Sequence, residues 1–346
     1  FYDNYSSIPT SLSQTIDATA NGTGNTTAFT TSYNVTPTYA QPITQSQMTQ
    51  GMVTGTKAEV LGTNGAQYIP TVSFYDEKGR VIQTQSINYT TGKDIATTQY
   101  SWSGEVLSTL LSQNYSSTVN PQTHLLISKM NYDAVGRLLT ITKTINSNIN
   151  GVALTAPSTN PVTTVTFQYD ELGNLKNKVL GNNLDNLAYS YNVRGWLLNI
   201  NQGYINGSNN TNYFGMELGY DKITSVAPGN SYSTPSFNGN IEGTVWTSKG
   251  DGINRKYDLS YDNTNRLTAA NFNQFSGSGF DKTAGIDFSV SGPNSGLIGY
   301  DANGNISGIN QNGYAQGGSK AIDQLTYNYI NGPSNSNRIN YVSDAV

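Results

Sequence analysis

Histidine and paired carboxylates are the side chains of this sequence that offer catalytic chemistry. His124 is the only histidine and there is no cysteine, so a Ser-His-Asp triad or a multi-histidine metal site has one imidazole at most. It lies in a polar stretch, where we expect a solvated or hydrogen-bonded bystander in a loop. Asp76-Glu77 and Asp170-Glu171 resemble the paired acids of glycosidases, but neighbouring residues at the end of a strand point apart. We therefore predict no catalytic residue and no enzyme.

Two further stretches resemble ligand-binding loops. The run from Asp301 to Asn305 has oxygen-bearing side chains at alternate positions, as calcium loops do. It lacks the glycine at the sixth position and the glutamate at the twelfth, where Ile306 and Asn312 stand, so we predict a turn. Gly317-Gly318-Ser319-Lys320 lacks the order of a phosphate loop. We expect no metal and no cofactor.

The aspartates belong to a recurring seven-residue motif, Tyr-Asp-x-x-Gly-Arg/Asn-Leu, here called the YD cassette. Clear copies begin at Tyr75, Tyr132, Tyr169 and Tyr300, and looser copies begin at Tyr100, Tyr191 and Tyr261. A motif that returns this often indicates architecture before it indicates a reaction centre. The predicted site residues are therefore structural turn residues: Tyr75, Asp76, Gly79, Tyr132, Asp133, Gly136, Tyr169, Asp170, Gly173, Tyr191, Gly195, Tyr261, Asp262, Tyr300, Asp301 and Gly304.

Each position of the cassette has a local physical reason. The aspartate accepts hydrogen bonds from backbone N–H groups ahead of it and so favours a type I turn. The glycine suits the left-handed conformation that closes a short hairpin with a bulge. Asn265 replaces this glycine in one copy, and asparagine tolerates the same backbone. The cassette thus predicts strand, tight turn, strand.

The sequence around the cassettes alternates apolar and polar residues, as half-buried strands do. Val165, Phe167 and Tyr169, for example, alternate with threonines and a glutamine. Cassette spacing is uneven, from 22 residues between Tyr169 and Tyr191 to 70 between Tyr191 and Tyr261, and the long interval suggests a degenerate unit at Tyr220-Asp221 or at 237–241. We predict an all-β fold, a β-hairpin solenoid or spiral sheet that forms part of a hollow shell.

Composition agrees with a thin wall that has two solvated faces. Hydrophobic residues make up 36%, below the usual share of about 45–50% (which also counts glycine), and charged residues make up 12%, below about 25%. The net charge of −4 and the lack of a basic cluster argue against nucleic acid, and no apolar run has the length of a membrane span. Because the chain begins with Phe1, we expect a processed or partial product.

Two regions follow from the distribution of cassettes. Residues 1–66 are rich in Thr, Ser, Asn and Gly and predict a polar lead-in that is partly strand, whereas residues 67–346 predict the repeat shell. Polar insertions at 146–160, 201–212 and 273–298 suggest surface loops. Val106-Leu107 with Leu110-Leu111 fits a helix face or a strand, and the cassette register favours the strand.

The cassette resembles the YD repeat of RHS-repeat proteins, which include polymorphic toxins and toxin-complex shells. Longer sequence motifs, spread over residues 50–346, resemble those of the large RHS-repeat surface proteins of Bacteroidota. They are Met52-Val53-Thr54-Gly55-Thr56-Lys57 with Val60-Leu61-Gly62-Thr63, Phe74 to Thr84, Tyr189 to Leu197, Phe237-Asn238-Gly239-Asn240-Ile241 and Ser336-Asn337-Arg338-Ile339.

This resemblance implies a strand wound into a shell that encloses a C-terminal toxin or other cargo. It also implies export to the bacterial cell surface or the medium, often by type 9 secretion. The family's self-cleaving end segment and toxin are absent, so we expect a non-enzymatic wall segment. Its partners would be other parts of the same protein, the enclosed cargo, and export machinery or surface proteins. The alternative is a cell-surface adhesin in which Trp102, Trp196, Trp246 and tyrosines stack on glycans, although most aromatics occupy core-facing positions.

Overall fold

The structure, a computed structural model, describes residues 1–18, 28–62, 67–154, 161–293, 296–332 and 336–346. Within these ranges the chain is all-β, with 21 strands and one helix of four residues. The prediction of an all-β fold is therefore confirmed. The chain divides into two compact units, residues 1–168 with 179–184, and residues 169–178 with 185–346. The predicted boundary at residue 66 lies outside the described residues, and β1 begins before it, at Gly55.

The first unit is a sheet whose strands follow one another in chain order. They are β1 (Gly55–Val60), β2 (Gln67–Tyr75), β3 (Val81–Ile87), β4 (Lys93–Tyr100), β5 (Val106–Tyr115), β6 (Gln122–Tyr132), β7 (Leu138–Ile149), β8 (Val152–Leu154) and β9 (Val162–Tyr169). From β1 to β7 each strand pairs antiparallel with the next, and β7 then pairs with both β8 and β9. Strand β9, through its last residue Tyr169, and strand β10 (Leu175–Leu180) have residues in both units.

The second unit repeats this plan. Its elements are β11 (Asp185–Tyr191), β12 (Leu197–Ile200), α1 (Gln202–Ile205), β13 (Phe214–Gly219), β14 (Gly243–Ser248), β15 (Arg255–Tyr261), β16 (Leu267–Phe275), β17 (Phe280–Asp281), β18 (Val290–Ser291), β19 (Gly308–Ala315), β20 (Gly318–Tyr329) and β21 (Ile339–Asp344). Strands β11 to β16 pair in sequence, β16 pairs with β17 and β18, and β18 to β21 pair in sequence. Among the described residues, no helix has the length and apolar character that a membrane crossing requires.

In the first unit, a polypeptide without regular strands covers one face of the sheet. This N-terminal segment is defined here as residues 1–18 and 28–53. Its Tyr5, Ile8 and Leu12 form one buried cluster with Val72, Phe74 and Ile82, and Ala28 and Phe29 form a second with Leu110 and Ile127. Apolar burial favours this arrangement, because side chains of β2, β3, β5 and β6 on this face are removed from water.

Several expected loops contain strands in the structure. Strand β7 continues through the expected loop at 146–160 as far as Ile149, because its backbone pairs with β6 down to Gln122. Residues 155–160 and 294–295 of the expected loops lie outside the described residues. The stretch 201–212 holds α1, and 273–298 holds the end of β16 with β17 and β18. Residues 106–111 belong to β5, as the cassette register predicted.

Candidate functional site

The YD cassettes share one hydrogen-bonding pattern in the turn. In each of the five copies that have aspartate at the second position, Oδ1 accepts the backbone N–H groups two and four residues ahead at 2.8–3.0 Å. The aspartate N–H donates to the carbonyl four residues ahead at 2.9–3.0 Å. Its own carbonyl accepts from the residue three ahead at 3.0–3.1 Å. These hydrogen bonds of the turn are thus all made between residues of the same cassette.

The residue at the fifth position adopts positive φ in all seven copies. Gly79, Gly136 and Gly304 have φ of 75°, 83° and 85°, and Asn265 takes the glycine's place with φ of 65°. Glycine adopts this region freely and asparagine tolerates it, whereas other residues are strained there. The positive φ of the backbone therefore explains why the fifth position holds glycine or asparagine.

Two looser copies reach the same turn with other side chains. Ser101 Oγ accepts the N–H groups of Gly104 and Glu105 at 3.1 and 3.0 Å. Asn192 Oδ1 accepts those of Arg194 and Trp196 at 2.9 and 3.0 Å. A short side chain with an acceptor oxygen is sufficient for the turn, and a negative charge is not required.

Arginine at the sixth position adds an ion pair within the cassette. In Arg80, Arg137 and Arg266 the guanidinium Nε lies 2.7 Å from Oδ2 of the cassette aspartate. The backbone N–H of Arg137 and other hydrogen bonds lower the pKa of Asp133, and the N–H of Arg266 does the same for Asp262. The carboxylates of Asp133 and Asp262 are therefore ionised at neutral pH.

A register shift accompanies six hairpins at the cassette tyrosine. The antiparallel pairing slips by one residue immediately before Tyr75, Tyr100, Tyr132, Tyr191, Tyr261 and Tyr329. Such a bulge bends the strand and re-aims the side chain at that position.

Six tyrosine hydroxyls each bond a backbone carbonyl of an earlier part of the chain. The hydroxyl of Tyr100 donates to the carbonyl of Val81, the last residue of the preceding cassette, at 3.0 Å. The same bond, at 2.6–3.0 Å, joins Tyr132 to Val106, Tyr300 to Leu267 and Tyr329 to Ile306. Tyr75 and Tyr261 bond the carbonyls of Val53 and Ile241 in the same way.

The bond from Tyr261 to Ile241 identifies the degenerate unit in the 70-residue interval between Tyr191 and Tyr261. Phe237 to Ile241 ends in the position that a preceding cassette would supply, and Asn238 Oδ1 accepts the N–H of Asn240 as in the other turns. Tyr220, the other candidate, instead packs its ring 5.2 Å from that of Trp196. The degenerate unit is therefore 237–241.

Arg80 and Arg266, two of the sixth-position arginines, also contact the next cassette. Arg80 Nη1 donates to the carbonyl of Ser101 at 2.8 Å, and its guanidinium lies 4.7 Å from the centroid of the Tyr100 ring. Arg266 repeats both contacts, with the Asp301 carbonyl at 3.2 Å and the Tyr300 ring at 4.5 Å. Each guanidinium thus has three partners: its own carboxylate, a carbonyl of the next cassette and an aromatic face.

The list of cassettes made from the sequence did not include a further one at Tyr329. Ile330, the residue after the tyrosine, donates its N–H to the carbonyl of Arg338 at 2.9 Å, as the second residue of the other cassettes does to the sixth. Tyr329 itself pairs with Ile339. The closing Arg338-Ile339 is the signal that identifies it, but a longer connection separates it from the tyrosine.

The sequence also did not reveal a buried group of glutamines beneath the N-terminal segment. Gln83 and Gln85 on β3 and Gln99 on β4, here called the glutamine row, are at most 1% exposed. The Gln83 carboxamide accepts the N–H of Asp17 at 2.8 Å and donates to its carbonyl at 3.3 Å. The sequence held one signal of this group: these glutamines stand at strand positions where the alternation of apolar and polar residues predicts core-facing side chains.

Gln99 makes the same paired contact further along the segment. Its Oε1 accepts the N–H of Thr30 at 3.0 Å, and its Nε2 donates to the Thr30 carbonyl at 2.8 Å and to the Gln41 carbonyl at 3.1 Å. Gln85 Nε2 donates to the carbonyl of Thr15 at 3.2 Å. All these partners are backbone groups, so the contacts do not depend on the side chains of the bound segment.

The residues considered for catalysis and metal binding have structural partners. His124 lies on β6 and not in the expected loop, because β6 already begins at Gln122; its ring nitrogens lie 2.9 Å from Ser147 Oγ and 3.2 Å from Gln122 Oε1. Asp301 binds its own turn through both carboxylate oxygens. In the part of the chain that is described, no group of three or more His, Cys, Asp or Glu could hold a metal.

The three tryptophans contact neighbouring side chains. Trp196 packs against Tyr220, the Trp246 ring lies 5.4 Å from that of Tyr257, and the ammonium of Lys78 lies 3.4 Å from the centroid of Trp102. Trp102 is nevertheless 62% exposed. Two of the three rings thus pack against another aromatic ring.

Together these features define a class, an antiparallel array of β-hairpins joined by repeated turns. No family model and no curated protein matches the chain. Among solved structures, a crystal structure of TcdB2-TccC3 aligns over 80% of this chain with a TM-score of 0.28 and 12% identity. A porin-like protein from Bacteroides uniformis aligns over 68% of this chain and 92% of its own, with a TM-score of 0.23 and 12% identity.

The chain spans only 16% of the TcdB2-TccC3 chain that it matches. TM-scores of this size do not establish a shared fold. The fold class therefore depends on the strands, registers and turns described above.

Proposed function

We propose that this chain is a non-enzymatic wall segment of an exported RHS-repeat surface protein, and that one face of its sheet holds polypeptide. The sequence motifs are the basis for the family, and the repeated turns and cassette-to-cassette bonds are consistent with a wall. The observation that favours a polypeptide cargo is the glutamine row and the segment bound to it.

A carboxamide has one donor side and one acceptor side, as a peptide group has. Gln83 and Gln99 each use both sides to bind both backbone groups of one residue, Asp17 and Thr30. Such a contact holds an extended chain of any sequence. A wall that encloses variable cargo needs this property, because its lining must accept polypeptides with different side chains.

Side chains of the second unit also bind the backbone of a segment that covers its sheet, residues 226–234. Glu217 Oε1 accepts the N–H of Val226 at 2.9 Å, and Glu242 Oε1 accepts that of Thr234. The side chain of Tyr232, 3% exposed, lies between these contacts against the sheet glycines Gly219 and Gly243. Backbone-directed contacts to a covering segment therefore occur in both units, with different side chains.

Limited proteolysis of the whole chain tests the role of the glutamine row. We expect the N-terminal segment of the parent to resist cleavage, and the double variant Gln83→Ala, Gln99→Ala to be cut within it at least tenfold faster. Gln113→Ala, on an exposed position of β5, is the matched control and should behave as the parent. Equal cleavage of all three proteins would remove the support that this contact gives to the proposal.

The wall itself requires an experiment on the complete gene product. Particle imaging should show a hollow body with polypeptide density inside it. A solid rod would contradict the proposal and favour the adhesin alternative. Secretion is tested separately, by locating the protein in cell-surface and medium fractions of the source bacterium.

A further inference from the structure

In two cassettes the arginine at the sixth position occupies the space beside the tyrosine of the next cassette. Arg80 and Arg266 each place a guanidinium over the ring of the following cassette's tyrosine and bond the carbonyl of the residue after it. These two sites are far apart in sequence and lie in different units. The same geometry in both indicates that this position is suited to a guanidinium.

The cassette from Tyr100 to Val106 has Glu105 at its sixth position in place of arginine. The space beside the following tyrosine, Tyr132, therefore receives no guanidinium from this cassette. A cavity of about 450 Å³ is present there. Its lining includes Tyr39, Ser103, Glu105, Met130, Tyr132 and Asp133.

The polar groups of this cavity are complementary to a cation. Glu105 Oε2 accepts hydrogen bonds from the hydroxyls of Ser101 and Ser103. These bonds, the Ser101 bond first, lower the pKa of Glu105 below its ordinary value, so the carboxylate is charged at neutral pH. The other oxygen, Oε1, faces Gly136, where a Cβ atom would lie 3.2 Å from it.

The aromatic wall is held in place by the cassette-to-cassette bond. The Tyr132 hydroxyl donates to the Val106 carbonyl at 2.9 Å, which fixes the ring next to the cavity. Leu107 and Met130 provide apolar lining for the methylene stem of a long side chain.

We propose that this cavity binds the guanidinium of an arginine residue supplied by another polypeptide. The planar cation would stack on Tyr132, pair with the Glu105 carboxylate, and take the place that Arg80 and Arg266 occupy in their own cassettes. The ligand class is thus an arginine side chain in a peptide. This inference does not depend on the chain being a shell, because the cavity belongs to the first unit alone.

Binding of small probes to the whole chain tests the site. The probes are N-acetyl-L-arginine amide, its neutral isostere N-acetyl-L-citrulline amide, and N-acetyl-L-lysine amide, followed by chemical shifts in two-dimensional NMR. We expect saturable shifts with the arginine probe only. Equal binding of the citrulline probe would overturn the role of charge, and equal binding of the lysine probe would overturn the assignment to guanidinium.

Two variants at Glu105 extend the test. Glu105→Gln should weaken binding of the arginine probe about tenfold, because it removes the charge from a charge-assisted hydrogen bond. Glu105→Arg should abolish binding and raise the melting temperature, since it supplies the guanidinium within the chain. Glu77→Arg, an exposed third-position residue in the preceding turn, is the control and should bind as the parent does.

The outcomes of these variants are decisive in both directions. Unchanged binding in either Glu105 variant would overturn the proposal. Should Glu105→Arg fail to fold, Glu105→Gln with the three probes still decides it, because that change is nearly isosteric.

Discussion

The fifth position of the cassette offers a clean separation of backbone strain from steric contact. Gly304 has φ of 85°, and a Cβ added there would meet no atom within 4 Å. We therefore attribute the cost of Gly304→Val to strain of the left-handed backbone, which is about 1–2 kcal/mol for an ordinary residue and larger for a β-branched one. We expect Gly304→Val to lower the free energy of unfolding by about 1–3 kcal/mol.

Gly304→Asn is the matched control, because Asn265 occupies the corresponding position with φ of 65°. Its cost should be below about 1 kcal/mol. Gly136→Val tests the same strain with a neighbour present, since its Cβ would lie 3.2 Å from Glu105 Oε1. That neighbour is the end of a flexible side chain, so we expect a cost of about 1–3 kcal/mol there as well.

Urea unfolding with a common slope measures these differences. A Gly304→Val protein as stable as the parent would refute the assignment of strain to this position. Equal destabilisation by Asn and Val would show that the loss of glycine matters for a reason other than backbone conformation.

The remaining predictions concern the tyrosine bond and the cassette carboxylates. Tyr300→Phe should cost about 0.5–1.5 kcal/mol in urea unfolding, because the Leu267 carbonyl loses its hydroxyl partner, whereas Tyr314→Phe on an exposed ring should be neutral. Acid should destabilise the protein through the carboxylates whose pKa is lowered in the folded state. For Asp262 the main cause is the N–H of Arg266, so its stabilisation is complete above about pH 4 and is lost as pH falls through the folded-state pKa. Asp262→Asn should flatten the fall of melting temperature in this range, and an unchanged slope would show that this group does not titrate with unfolding.

Much of the hairpin architecture could be predicted from the sequence, because each cassette encodes its own turn. The aspartate at the second position and the glycine at the fifth act within five residues, and local chemistry of this kind leaves a motif. Strand β5 followed from the cassette that ends at Val106, and the all-β fold followed from alternation. The expected loop at 146–160 was partly wrong because pairing with β6 extends β7 through polar residues that have no strand motif.

The contacts between cassettes were beyond sequence reasoning. The bond from Tyr100 to Val81 depends on the approach of two hairpins in space, and a carbonyl has no residue type to recognise. The binding of Asp17 and Thr30 by glutamines has the same character, because the bound groups are backbone. His124 was expected in a loop for a related reason, since β6 starts within a polar sequence.

The cassette at Tyr329 has a consequence for how such proteins diversify. Its tyrosine still bonds the Ile306 carbonyl and still pairs with Ile339, although the connection between the two strands is longer than in the other copies. In this copy the strand register and the neighbour contact are therefore kept although more residues join the two strands. The tips are positions where evolution, or an engineer, can lengthen the chain and graft foreign epitopes while the sheet beneath keeps its spacing.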